Sequence, residues 1–359
     1  MADTVLNSDL ALERWQRDYY YSFVRESRLK RYSGTDESKP IQFIEDLEAG
    51  AGDKIHIGLV GELIGGGVVD SQTLEGAEEN LTTYEDHITT HLYRHAVAVP
   101  KEQQRKTTVD LLDAGNTQLK SWAMKLLRDL ELDVLACCNA DGVTTYNGTL
   151  YTDDATARNA FLVANADRML FGAAKSNASS GVFATALSTL DTSADKFTPT
   201  ILTLALAMAK EISSTPGGQA IRPVKVGEDE DMYICLTGSR AFGDFKKSTE
   251  YQAAAKDAAE RGPGNPLFHA GDLMWENCII REVPEIQTMT NAGSVACQPF
   301  HLLGAQSVGV AWQSRPAAIS DTRDFGRVKA VGIEMQMGVK KLTFNGKAHG
   351  QFSGFVACS

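Results

Sequence analysis

The sequence predicts an α+β protein, and three observations carry that class. The stretch from Thr108 to Cys138 lacks proline and places Leu112, Leu119, Ala123, Leu126, Leu130, Val134 and Cys137 on one stripe, with Trp122 beside them. That is the spacing of a long helix with one apolar face. Just before it, Glu75 to Val99 is polar, rich in threonine and histidine, and ends at Pro100, as an extended hairpin would be. After it, short alternating apolar runs share the chain with further helices, and no internal repeat is present. At 1.5 Å per residue the long helix would span about 45 Å, the length of a spine rather than of a compact packing element.

Taken in order, residues 1 to 50 read as an arm. Leu10, Trp15, Tyr19, Tyr20 and Phe23 give a short helical signal. Arg25, Arg28, Lys30 and Arg31 suit its last turn, because cations are favoured at a helix C-terminus. Ser33 to Pro40 is turn-rich. From Asp53 to Val69, Ile55, Ile57 and Leu59 alternate as in a strand, and Gly65, Gly66 and Gly67 supply a flexible tip. Asn139 to Thr198 is weakly patterned. A helix is expected from Thr200 to Ile212, closed by Pro216, Gly217 and Gly218. Met232 to Leu236 reads as a buried strand, Phe242 to Arg261 as one helix stopped by Gly262 and Pro263, and Cys278 to Val283 as another strand. Leu302 to Trp312 and Gly326 to Phe344 are further strand-like runs.

Composition narrows the function. The chain has 359 residues, 43% of them apolar, and a net charge of −11, which excludes broad sequence-independent gripping of nucleic acid. Six cysteines include no C-x-x-C pair, so a zinc cage or redox motif is not expected and the thiols fit a reducing cytosol. No apolar N-terminal stretch precedes a cleavage site, and the most apolar run, Ile201 to Ala209, is too short to span a bilayer. The expectation is a chain made without an export signal and without a membrane partner.

Chemistry-bearing residues do not assemble an active site. His87, His91 and His95 recur every four residues. On a helix they would stand about 6 Å apart and could share a metal, whereas on a strand they stand about 13 Å apart and cannot. Ile88, Thr89, Thr90, Tyr93, Val97 and Val99 give this stretch strand character, so no metal is expected. Gly65 to Gly67 lack the P-loop pattern. Thr237 and Arg240 flank Gly238 and Ser239 and break the nucleophile-elbow pattern. Glu228 to Asp231 lacks the ligand spacing of a calcium loop. Glu75, Glu78 and Glu79 could pair as carboxylates, but no feature sets a partner opposite them. No catalytic residue and no cofactor site is expected.

A set of linked motifs carries a resemblance. Leu74, Glu75, Gly76, Glu78 and Glu79, then Tyr84, then Tyr93, Arg94, His95, Ala96 and Val97, then Gln104, Arg105, Asp110, Leu111 and Trp122 resemble the start of the major capsid proteins of the N-four-like phage family. These form a branch of the Hong Kong 97-type coat proteins of tailed phages. Asn265, Pro266, Leu267 and Phe268, with Gly271 and Glu282, resemble the family's NPLF segment and following strand. Leu302, Leu303, Gly304, Ala305, Gln306 and Ala311 resemble its LLxGAQA stretch. Asp324, Gly326, Gly338, Lys340, Lys341, Phe344, Gly346 and Gly350 resemble its C-terminal return.

The resemblance implies a structural shell protein and not an enzyme. Its fold would comprise an N-terminal arm over 1–50, an extended hairpin called the E-loop over 51–100 and a peripheral domain with the spine helix over 101–200. An axial domain over 201–319 and a C-terminal return over 320–359 would complete it. Copies would gather into hexamers and pentamers of an icosahedral shell around phage double-stranded DNA. Scaffolding, portal and decoration proteins would be partners, and the shell would be made in the host bacterial cytoplasm. The hairpin tip at Gly65, Gly66 and Gly67 would lie on a neighbour. Some relatives crosslink a hairpin lysine to a neighbour's asparagine, but no lysine lies between Ile55 and Val99. The alternatives are an encapsulin-like nanocompartment shell and, from another class, a metal-dependent hydrolase using His87, His91 and His95.

Overall fold

The structure, a computed structural model, describes residues 29–45, 54–61, 63, 65–70, 73–107, 110–136, 155–211, 220–225, 231–259 and 273–359. The expected arm helix, Cys137 and Cys138, Pro216 to Gly218, Glu228 and Asn265 to Phe268 with Gly271 lie outside these residues. In chain order come β1 (Ser33–Gly34), β2 (Ile41–Ile44), β3 (Lys54–Val60), β4 (Thr83–Thr89), β5 (His91–Pro100), α1 (Lys101–Lys106) and α2 (Leu111–Ala136). Next are α3 (Ala155–Ala164), β6 (Met169–Phe171), α4 (Phe183–Ser188), α5 (Pro199–Lys210), β7 (Val224–Lys225), β8 (Asp231–Thr237), α6 (Ser239–Lys247) and α7 (Thr249–Ala259). The remainder is β-rich: β9 (Leu273–Trp275), β10 (Cys278–Glu282), β11 (Met289–Thr290), β12 (Ala296–Leu303) and β13 (Val308–Arg323). It ends with β14 (Val328–Lys341), β15 (Thr343–Phe344), β16 (Lys347–Ala348) and β17 (Gln351–Ala357).

The expected spine is α2, whose 26 residues span about 39 Å. Asp110 starts it: its Oδ1 accepts from the amides of Leu112 and Asp113 at 3.0 and 3.3 Å, satisfying donors that no helical carbonyl reaches. The one-sided stripe holds only for the first part. From Arg128 to Ala136 every residue is buried, including Arg128, Asp129, Glu131 and Asp133.

The described chain forms two compact units. One contains Leu92–Leu127 and Ser314–Gln336, that is, most of β5, α1, the first part of α2 and the outer parts of β13 and β14. Within it the Trp122 indole packs on the His95 ring with centroids 4.9 Å apart. Arg94 Nε meets Glu334 Oε2 at 2.9 Å, and the Lys101 amide donates to the Arg327 carbonyl at 2.9 Å.

The other unit contains Arg28–His91, Arg128–Gln313 and Met337–Ser359. It is built on a sheet of order β6-β17-β12-β8-β10-β9, with β11 added to β12 and β7 to β8. Strands β8 and β17 are almost wholly buried, as strands covered on both faces must be. The two-residue alternation of side chains sorts them into two cores. On one face Phe352, Val356, Phe300, Leu302, Tyr233 and Cys235 pack with α5 and with Phe242 and Phe245 of α6. On the other, Phe355, Phe171 and Cys297 pack with Leu162 of α3 and with Phe183 and Leu187 of α4. Helix α5 is capped by Thr198, whose side chain accepts from the Ile201 amide, and has Pro199 in its first turn.

Three sequence expectations are corrected. The helix expected over Phe242 to Arg261 is two helices, because Ser248 is extended (φ −60°, ψ 140°). Its hydroxyl donates to the Phe245 carbonyl at 2.6 Å and its carbonyl accepts from the Gln252 amide at 3.0 Å, so one residue ends α6 and begins α7. The run Leu302 to Trp312 is split by a turn in which Gln306 has φ 54°. The expected hairpin ends at Thr89, and β5 joins a second sheet of order β1-β2-β13-β14-β5.

Candidate functional site: the assembly surfaces

Strands β3 and β4 pair antiparallel from Lys54 opposite Thr89 to Val60 opposite Thr83. Ile55, Ile57 and Leu59 alternate with polar residues, so one face packs with Tyr84, Ile88, Ala311, Leu342 and Phe344 while the other meets solvent. Asp86 falls on the packed face and is buried. Its Oδ1 meets Lys340 Nζ at 2.6 Å, and that ammonium also donates to the His87 carbonyl at 2.8 Å. Asp86 Oδ2 accepts from the Thr343 amide at 3.0 Å. A buried charge is tolerable only when paired and hydrogen-bonded in this way. The pair therefore anchors the root of the hairpin to β14 and the residues after it.

Beyond Val60 and Thr83 the chain continues as a loop. The Gly61 amide closes it by donating to the Thr82 carbonyl at 2.7 Å. Gly65, Gly66 and Gly67 are exposed but do not form the turn. The Gly65 amide donates to Glu79 Oε2 at 2.7 Å, which puts the glycines on the outgoing limb. A turn lies at Leu74 to Ala77, where the Ala77 amide donates to the Leu74 carbonyl at 3.0 Å and Gly76 has φ 88°. Glu78 Oε2 accepts from the Gly76 amide at 2.7 Å. Thus the Glu78 and Glu79 carboxylates accept from the backbone of this loop, while Glu75 and Gly76 lie in its turn. Val60, Leu63, Val69, Leu74 and Leu81 on the same segment are 57–64% exposed. Sequence reading missed this apolar row because no helical or strand period orders it.

The other singled-out residues are dispersed. His87 lies on β4, while His91 and His95 lie on β5, all on extended backbone. His87 faces His56 across the hairpin with ring centroids 5.8 Å apart. Among the described residues no three His, Cys, Asp or Glu side chains could share a metal ion. Ser239 Oγ donates to Glu282 Oε1 at 2.7 Å. Gly304, Ala305 and Gln306 form a backbone junction, their amides donating to the carbonyls of Gly350, Arg222 and Lys39 at 2.8, 2.8 and 2.9 Å. Gln306 Nε2 also reaches Gln42 Oε1 at 3.1 Å. No helix among the described residues is long and apolar enough to cross a membrane.

The titratable groups with the largest displacements are enclosed in the interior. Burial pushes the Glu131 carboxyl up to about 8. Burial, then the charge of Lys341, pushes His301 down to about 3. His301 Nδ1 lies 3.1 Å from Gln351 Nε2 and 3.3 Å from Ser353 Oγ, so it is a satisfied core histidine. Burial and the charges of Arg168 and Arg222 hold His349 down at about 4.

The exposed apolar side chains of the loop after β3 suit a subunit that packs against other chains, and the comparisons agree. The profile of the phage capsid protein family matches residues 3–355. The chain is 24% identical over 351 residues to the major capsid protein of Pseudomonas phage KPP25, covering 92% of this chain and 89% of that one. Among solved structures it superposes on the Cyanophage Pam1 capsid with a TM-score of 0.87 and 34% identity, covering 100% of this chain and 99% of that one. It superposes on the capsid of Ralstonia phage GP4 with a TM-score of 0.75 and 23% identity, covering 100% and 99%. The chain therefore belongs to the phage capsid protein family. Its fold is of the Hong Kong 97 type, and it is a structural major capsid protein, a subunit of a phage shell made from copies of itself. Neither the nanocompartment nor the hydrolase alternative receives support from these relatives.

Proposed function

We propose that the loop after β3 is the part of this coat subunit that reaches across a neighbouring copy, in both hexamers and pentamers. The observation that carries this reading is the row Val60, Leu63, Val69, Leu74 and Leu81, each more than half exposed on a segment with little packing of its own. Contiguous exposed apolar surface marks an interaction site, and a hairpin end gains its order from what it lies on. Gly65, Gly66 and Gly67 widen the backbone choices of the outgoing limb, so one loop can settle on slightly different neighbours.

In this reading residues 1–50 act as the arm, 51–89 of the expected 51–100 as the E-loop and 101–200 as the peripheral domain, with β5 in the second sheet. Residues 201–319 act as the axial domain and 320–359 as its return. The shell is filled with DNA through a portal and built on a scaffold in the host cytoplasm, with decoration proteins as further partners. It performs no catalysis and holds no metal or cofactor. Deleting Val60 to Asp70 should leave a folded subunit that forms no closed shells. Circular dichroism checks the fold, and sedimentation with electron microscopy checks assembly. Normal-sized particles from the deleted protein would refute the intersubunit role.

A further inference from the structure

The hairpin joining β13 to β14 ends in a turn closed by the Arg327 amide on the Asp324 carbonyl at 2.9 Å. Its two central residues, Phe325 and Gly326, have φ 48° and 85°. Such a turn selects asparagine or aspartate followed by glycine, because the first position needs a left-handed backbone that bulky side chains resist. Phenylalanine is a poor choice for the turn itself. Its ring also stands wholly in solvent, so it contributes nothing to the subunit's own core. Both facts disfavour the residue in an isolated subunit and point to a contact made elsewhere.

The same unit holds a receiving feature. A cavity of about 620 Å³ is walled by Ala96 of β5, Ile319 of β13 and Ala330 and Val331 of β14. That volume lies within the roughly 300–1,000 Å³ of sites that enclose small organic groups. Its charged lining is paired: Arg94 with Glu334 at 2.9 Å and Arg323 with Asp321 at 2.7 Å. Two cations and two anions leave no net charge to attract phosphate or a polybasic segment. Guanidinium groups at an apolar wall do suit the face of an aromatic ring.

We propose that Phe325 of one copy of this chain inserts into this cavity on a second copy. The partner is another copy because the shell is made of copies, and because the projecting ring and the cavity belong to one unit and yet do not meet within it. A knob and its receptor at different places on one surface make a head-to-tail contact, which repeats around a ring until it closes. This contact is separate from the loop over residues 61–82, so either can fail without the other.

Paired cysteines test it, using assembled particles of the full chain carrying Ala96→Cys and Phe325→Cys, treated with oxidised glutathione. That oxidant accepts the two electrons and two protons released as each disulfide forms. On denaturing gels without reductant most chains of the double variant should run as dimers and larger oligomers that dithiothreitol returns to monomer. Each single variant should stay monomeric. Crosslinking by Phe325→Cys alone, which would place tip against tip, overturns the proposal, as does a double variant that assembles and stays monomeric. Phe325→Ser supplies a second readout that needs no disulfide. The ring touches nothing in its own subunit, so the melting midpoint of the unassembled subunit should not move, while the yield of closed particles should fall at least tenfold. Unchanged yield and particle stability would overturn the proposal too.

Discussion

Glu131 and His301 are both enclosed, and enclosure disfavours the charged form of each. For Glu131 the folded pKa, about 8, lies above the ordinary value of 4.5. The stability linked to its neutral form is therefore complete below about pH 4.5 and is lost as pH rises through about 8. For His301 the folded value, about 3, lies below the ordinary 6.5. Its contribution is complete above about pH 6.5 and is lost as pH falls toward 3. Replacing Glu131 by Gln keeps the shape and removes the titration. Denaturant midpoints of the subunit at pH 5 and pH 9 should differ less in Glu131→Gln than in the native chain, by on the order of 3–5 kcal/mol at most; equal pH slopes would contradict the assignment. Asp86 is also buried, and its Oδ1 meets the Lys340 ammonium at 2.6 Å. Asp86→Ala leaves that ammonium without its carboxylate and should cost about 3–5 kcal/mol, while Asp86→Leu with Lys340→Met should be close to neutral. A single variant as stable as the native chain in urea would show that the pair does not hold the hairpin root.

Among elements, the root of the hairpin is also where a glycine is indispensable. A Cβ on Gly338 would stand 2.2 Å from the Thr89 carbonyl oxygen and 2.9 Å from the Ile88 side chain. The nearest obstacle is the Thr89 backbone, which is not cheap to move, so Gly338→Ala should cost about 2–4 kcal/mol. A thermal midpoint within a degree of the native value would refute this. The spine, helix α5 and the hairpin strands were legible because each repeats apolar residues at its own period, and strand β8 because it is a short continuous apolar run. The break at Ser248 was not, since neither proline nor glycine stands at it and the backbone changes direction at one hydroxyl. The turn of the loop was misplaced at the glycine run because glycine permits a bend without demanding one. The burial of the charges from Arg128 to Asp133 was not legible beside the one-sided apolar stripe, because sequence carries no record of what packs against a helix. Arg128, for example, meets Glu285, far along the chain, at 3.3 Å.

For the whole molecule, the question is what holds a shell of such subunits together. A net charge of −11 per chain makes copies repel at long range, and salt screens that repulsion over a Debye length of about 8–10 Å. Cohesion must then come from short-range apolar and hydrogen-bonded contact, to which the exposed side chains from Val60 to Leu81 would contribute under the role proposed for their loop. In the DNA-filled shell proposed above, the same charge would suit the enclosing wall, because a surface that gripped phosphates would resist both filling and emptying. A covalent mesh could replace those contacts only if a nucleophilic amine stood on the hairpin. None does: Ile55 to Val99 contains no lysine, and Lys54, the nearest, sits at the hairpin's root opposite Thr89. Lys340 and Lys341 are buried, and the first is held by Asp86. Without that amine no amide bond to a neighbour's carboxamide can form and no ammonia can leave. Mature particles boiled in detergent with reductant should therefore collapse to a single band at the subunit mass of 38.9 kDa. A ladder of covalent oligomers that survives this treatment would mean that a lysine elsewhere in the chain has taken the hairpin's place as nucleophile.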